Sequence, residues 1–180
     1  MGRFRPAILA KENALSLDLC NSLINRFDSK LKPSRVNKGF DPTLRKANTW
    51  LVTKREDKEL IEKFQKIFFE ENDKNWKFDL QNLRDIQVIR YDSGGHYDWH
   101  LDVGSGANIT RKLSMVIPLN DPNDWEGGEL LVKAGPKEVS MPLERGVPII
   151  FPSFILHKAT KVESGVRYII AAFCSGPTFK

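Results

Sequence analysis

The sequence predicts an α+β fold, with two helices first and then a run of short strands forming a β sandwich or jelly roll. Three observations carry this. Apolar residues recur at helical spacing in two stretches before residue 77. From residue 77 onward the apolar period drops to two. Gly and Pro punctuate that second half at short intervals, as they do between the strands of a jelly roll. Helices followed by strands suggest helices packed on one face of a sheet.

In chain order, Ala7-Ile8-Leu9 reads as a short strand. A helix follows over about Ser16 to Asp28, with Ser16 as its N-cap and Leu19, Cys20, Leu23, Ile24 and Phe27 on one face. Residues Lys30 to Arg45, with Pro33, Gly39 and Pro42, read as a loop, and Asn48 to Val52 as a strand. The second helix spans about Glu56 to Asp73, with Leu60, Ile61, Phe64, Ile67 and Phe68 as its buried stripe. Ile86, Val88, Ile89 and Tyr91 form a strand ending at the turn Ser93-Gly94-Gly95. Lys112–Leu119, Glu129–Lys133, Lys137–Met141, Pro148–Pro152 and Val166–Phe173 complete the strands.

The 180 residues are one domain's worth, with helical support over about 1–80 and the β core over about 81–176. Hydrophobic residues at 41% and charged residues at 28% exclude a disordered chain. No apolar run reaches the ~18 residues of a membrane span. Met1 to Pro6 lead into no apolar signal-peptide core. A cytoplasmic protein is therefore expected, with Cys20 and Cys174 as buried thiols. The net charge of +5 resides in residues 1–85, which carry 18 basic and 13 acidic side chains. No nucleic-acid motif accompanies that charge, so a solvated basic surface is the reading.

The chemistry lies in His100, Asp102, His157 and Arg167. Residues two apart in an extended segment point to one side, so His100 and Asp102 can face one metal ion. His157 then arrives from a distant strand, which a jelly roll can bring face to face with the first, with the metal between the two sheets. Two His and one carboxylate form the facial set of non-haem Fe(II) oxygenases. Arg167 lies ten residues after His157 among apolar neighbours, an expensive place for a charge. No acidic residue on its strand can pair with it, so a ligand carboxylate is the economical partner. 2-Oxoglutarate fits, with its keto acid end on the metal and its far carboxylate on Arg167.

The stretch Arg90-Tyr91-Asp92-Ser93-Gly94-Gly95-His96-Tyr97-Asp98-Trp99-His100-Leu101-Asp102 resembles the ligand strand of the prolyl 4-hydroxylase-like Fe(II)/2-oxoglutarate dioxygenases. Glu126-Gly127-Gly128-Glu129-Leu130 does too, as do Phe151-Pro152-Ser153, His157-Lys158-Ala159-Thr160 and Gly165-Val166-Arg167. The likeness is close over about residues 84–176. It implies a double-stranded β-helix (distorted jelly roll), with His100, Asp102 and His157 as iron ligands and Arg167 as the 2-oxoglutarate salt bridge. It also implies Tyr91 in the co-substrate pocket and Tyr97 near the metal. Some prolyl hydroxylases carry a further tyrosine on the strand here read as Leu113 to Pro118. This chain has none, which leaves that hydrogen bond to Tyr91, Ser114 or Thr160. The cofactors implied are Fe(II), 2-oxoglutarate and O2, with ascorbate as auxiliary reductant. The reaction implied is hydroxylation of a substrate C–H, a prolyl residue of a peptide or protein by default, with 2-oxoglutarate converted to succinate and CO2.

Other readings compete. Oxidative demethylation of nucleic acid uses the same ligand set, but its arginines stand at a longer spacing from the last His. A small-molecule hydroxylase would share the scaffold. A zinc hydrolase or a non-catalytic β-barrel module would leave Arg167 without a role. Among nearby residues, His96 reads as a surface or supporting residue, and Trp99 as facing away from the metal. Trp125 is balanced between core packing and the substrate rim. Gly127-Gly128 reads as turn chemistry, Cys174 as a small apolar filler, and Val103–Arg111 as a loop gating the site.

Overall fold

The computed structural model describes residues 8–9, 14–35, 39 and 41–179. Ala7 of the first expected strand, Met1 to Pro6, and residues 36–38 and 40 of the expected loop lie outside them. In chain order the elements are Ile8–Leu9 (β1), the helix Leu17–Phe27 (α1), Lys32–Pro33 (β2), Arg45–Lys46 (β3), Asn48–Thr53 (β4) and the helix Lys58–Asn75 (α2). Asn82–Tyr91 (β5), His96–His100 (β6), Arg111–Pro118 (β7), Trp125–Gly127 (β8) and Leu130–Ala134 (β9) follow. Lys137–Met141 (β10), Ile149–Pro152 (β11), His157–Ala159 (β12), Val162–Gly165 (β13) and Arg167–Ser175 (β14) end the chain.

Both helices begin where a side chain can satisfy an orphan amide. Ser16 Oγ accepts the Leu19 N–H at 3.2 Å, and Asp57 Oδ1 accepts the Leu60 N–H at 3.0 Å. Each then buries the stripe its spacing predicts, with Cys20, Leu23 and Phe27 in α1 and Leu60, Ile61, Phe64, Ile67 and Phe68 in α2.

A seven-stranded antiparallel sheet runs β1-β11-β7-β14-β5-β4-β2 and a five-stranded one runs β10-β9-β12-β6-β3, with β13 and β8 as a separate pair. Period-two alternation gives the larger sheet two apolar faces. Val88, Ile117 and Ile170 pack with Phe27, Phe64 and Phe68 of the helices. Ile89, Phe151 and Ile169 pack with Leu130 and Val132 of the smaller sheet. The result is three layers with two cores. Among the described residues, no helix is long and apolar enough to cross a membrane.

Four strands after residue 77 were invisible to the period-two reading: β6, β8, β12 and β13. His157 lies on β12, in the smaller sheet, whereas the apolar strand before it, β11, belongs to the larger one. The expected face-to-face arrangement of ligand strands is therefore corrected. The strands β6 and β12 are hydrogen-bonded neighbours, with His157 opposite His100.

Candidate active site

On β6 the pairing with β12 slips. His157 is opposite His100, but Ala159 is opposite Tyr97, so three steps on β6 match two on β12. This bulge cancels one alternation and turns both Tyr97 and His100 into the space between the sheets. Their rings stack with centroids 3.4 Å apart. Trp99 goes to the other face, as expected, where the ammonium groups of Lys133 and Lys158 lie 5.2 and 4.8 Å from its ring centroid. After β6 the chain carries exposed Leu101 outward and Asp102 inward. The Asp102 and Val103 amides both donate to the Ser153 carbonyl, at 3.0 and 3.1 Å.

One ligand atom from each of His100, Asp102 and His157 falls within a 4.8 Å cluster. His100 Nε2 is 3.7 Å from Asp102 Oδ1, and His157 Nε2 is 3.4 Å from Asp102 Oδ2. Each imidazole spends its Nδ1–H on a backbone carbonyl. His100 donates to Asp98 O at 2.7 Å and His157 to Ile155 O at 2.9 Å. Those bonds fix the tautomer that leaves Nε2 as a bare lone pair. Burial, reinforced by His157, pushes the His100 pKa down to about 4, so this imidazole is neutral at pH 7. Burial alone would raise the Asp102 carboxyl, but His157, His100 and the Ser114 hydroxyl outweigh it and hold it below the usual carboxylate range. The His100 lone pair and the Asp102 carboxylate thus converge with His157 Nε2 on one point. A cation is what that donor set fits.

Arg167 enters from the opposite sheet. It is 1% exposed, and its Nε and Nη1 have no hydrogen-bond partner among the described residues. It stands opposite Tyr91 on β5, with its guanidinium carbon 5.5 Å from that ring's centroid. Burial pushes its pKa down to about 10, opposed by Tyr91, so it stays charged at pH 7. An unpaired buried guanidinium costs several kcal/mol at order of magnitude, which an incoming anion would offset. Gly128 makes room for it. A Cβ there would stand 3.3 Å from Arg167 Cδ and 3.0 Å from a Val162 methyl, and the backbone sits at φ +60°. The glycine pair is therefore more than turn chemistry.

One cavity of about 610 Å³ is lined by His100, Asp102, His157 and Arg167, together with Tyr91 and Tyr97. Ser114 and Thr160 are not among its lining residues. The Ser114 hydroxyl pairs with Ser153 Oγ at 2.9 Å beside Asp102. Thr160 Oγ1 accepts the Glu129 N–H at 2.8 Å and steadies the glycine turn. Trp125 is 7% exposed and belongs to the core between the sheets, which overturns the rim alternative. The His96 ring nitrogens lie 3.1 Å from the Gly94 and Thr43 carbonyls. Cys174 fills apolar space as expected. Asn108 and Arg111, at the far end of the expected gating loop, do line the cavity. The residue that sequence reasoning missed is Arg45, which lines the cavity from a two-residue strand inside a stretch read as loop.

The pattern of the 2OG-Fe(II) oxygenase superfamily matches residues 86–175, half of the chain. The chain belongs to that superfamily. With the family come Fe(II), 2-oxoglutarate and O2, and His100, Asp102 and His157 could hold the iron. This superfamily member is 33% identical over 91 residues to a PKHD-type hydroxylase of Synechococcus sp. (strain CC9605), a match covering 50% of this chain and 41% of that protein. It is 37% identical over 86 residues to a PKHD-type hydroxylase of Hyphomonas neptunium, covering 43% and 37%. These matches span only about two fifths of the curated relatives' length. Among solved structures it is similar to a Pseudomonas putida prolyl-4-hydroxylase (TM-score 0.75, 20% identity, 96% and 93% of the two chains). It is also similar to a Trichoplax adhaerens prolyl hydroxylase in complex with a hypoxia inducible factor oxygen degradation domain peptide fragment (TM-score 0.77, 16% identity, 95% and 84%). These likenesses establish the double-stranded β-helix fold.

Proposed function

We propose that this domain is an Fe(II)- and 2-oxoglutarate-dependent hydroxylase acting on a prolyl residue in a peptide or protein. The observation that carries the reading is Arg167, a buried guanidinium whose Nε and Nη1 have no hydrogen-bond partner among the described residues, and which shares a cavity with a two-His, one-carboxylate cluster. His100, Asp102 and His157 would hold Fe(II) on one sheet. Arg167 would take the far carboxylate of 2-oxoglutarate from the other sheet, with Tyr91 beside it. With Fe(II) and 2-oxoglutarate bound, O2 would be the oxidant: one of its oxygen atoms would end in succinate, as 2-oxoglutarate loses CO2, and the other in the hydroxylated C–H. The protein's part is to orient both and exclude water, which the apolar walls from Ile89, Val116 and Ile169 would do. The prolyl substrate is supported by the names of the similar structures, two of which are prolyl hydroxylases.

The test is direct. Purified protein supplied with Fe(II), ascorbate and 2-oxoglutarate should form succinate, faster with a proline-containing peptide that gains one oxygen in mass. If the protein loaded with Mn(II), an inert stand-in, fails to bind 2-oxoglutarate in a calorimetric titration, the reading is wrong.

A further inference from the structure

The hydroxylase reading assigns Arg167 and leaves a second buried arginine without a task. Arg45 sits on β3, the edge of the smaller sheet, opposite Tyr97. It is 8% exposed. Its Nη2 makes a long contact to Thr49 Oγ1 at 3.3 Å, and its Nε has no hydrogen-bond partner among the described residues. The guanidinium carbon lies 4.8 Å from the centroid of Tyr97, the ring that stacks on His100. Arg45 therefore lines the same cavity as Arg167, from the opposite sheet and only two ring contacts from a candidate iron ligand.

Four arginines (35, 45, 111 and 167) and two aspartates (41 and 102) line that cavity. Among the described residues Asp41 forms no ion pair with Arg45. Its Oδ1 already accepts the Thr43 hydroxyl and the Thr43 and Leu44 amides. Asp102 belongs to the metal cluster. Both carboxylates of 2-oxoglutarate are taken in the reading above, one at the metal and one at Arg167. A neutral substrate would leave the Arg45 Nε buried and unpaired, at the cost such donors carry. A carboxylate would satisfy it with two parallel bonds.

We propose that Arg45 receives a carboxylate carried by the substrate, so that the substrate is a peptide with an acidic side chain next to the residue oxidised. The proposal rests on the hydroxylase reading. The spacing supports adjacency, because two ring contacts of 4.8 and 3.4 Å reach at most about two residues of extended chain at roughly 3.5 Å each. A nucleic acid is disfavoured by the same geometry, since strand binding needs exposed cations tracking a backbone and Arg45 is a single buried one.

The experiment uses protein loaded with Mn(II) and titrated first with 2-oxoglutarate. Capped peptides follow, with Glu before or after a single Pro, then their Gln counterparts, then an oligothymidylate. One of the two Glu peptides should bind about tenfold more tightly than its Gln counterpart. In Arg45→Gln the ratio should fall to near one, and in Arg45→Lys, which keeps the charge but loses the paired donors, it should narrow. If 2-oxoglutarate does not bind the wild type, the hydroxylase reading falls and this proposal with it. If 2-oxoglutarate binds and neither Glu peptide is preferred, the proposal alone is overturned. The same holds if the preference survives in both variants or if the oligothymidylate binds best.

Discussion

Arg167 is buried as deeply as the core phenylalanines, yet two of its nitrogens have no hydrogen-bond partner among the described residues. Arg167→Gln should lower the affinity for 2-oxoglutarate by about 100-fold, read by calorimetry, while Mn(II) binding stays near the wild-type value. Equal losses for both would remove the salt bridge from the account. Asp102→Ala should abolish tight metal binding and leave far-UV circular dichroism unchanged, because it deletes the one carboxylate of the His100, Asp102 and His157 cluster. A third residue-scale expectation concerns Tyr168, whose hydroxyl donates to Asp28 at 2.7 Å. Burial and that bond push its pKa up to about 12. The stability it contributes is complete below its unfolded value near 10 and is lost as pH rises through 12. The same bond holds Asp28 below the usual carboxylate range, so that contribution is lost as pH falls through the lowered value. Tyr168→Phe should flatten both arms of a melting-temperature profile against pH. These residues were unequally legible. Arg167 stood out in the sequence because charge in an apolar strand has to be explained. Arg45 did not, because a cation in a polar loop is ordinary until folding buries it.

At the scale of elements, the helices were legible because their apolar spacing and caps are local properties, and both begin within two residues of expectation. The three-residue strands β8 and β12 were not, because they are too short to display an alternation and exist only through their partners. The bulge on β6 was equally hidden. It belongs to the register between two strands, and a strict period of two would have sent Tyr97 away from His100. The turn before β9 makes a sharper test. Gly128→Ala adds a Cβ at positive φ against Val162 and the Arg167 side chain. It should cost about 1–3 kcal/mol of stability and weaken 2-oxoglutarate binding, read together by thermal melting and titration. An alanine that melts earlier but binds 2-oxoglutarate normally would separate the turn from Arg167.

At the scale of the molecule, the layer order follows from two apolar faces on one sheet. The helix-side core carries the stability and the inter-sheet core carries the cavity. Phe64→Ala, at a fully buried position on α2, should cost about 3–5 kcal/mol, while the metal affinity of the folded fraction is retained. Conversely, Mn(II) with 2-oxoglutarate should raise the melting temperature, because both bind only the folded chain. That the chemistry sits between sheets, away from the helices, makes these two tests separable.

The metal cluster and Arg167 stand on different sheets, with the cavity between them. Inter-sheet spacing therefore works as a caliper on whatever bridges them. On the proposed function a five-carbon keto diacid bridges them; oxaloacetate is one methylene shorter and 2-oxoadipate one longer. Packed sheets do not slide to suit a ligand. Both homologues should compete poorly with 2-oxoglutarate, and a mutation that thins or thickens the inter-sheet core far from the cavity should shift which length is preferred.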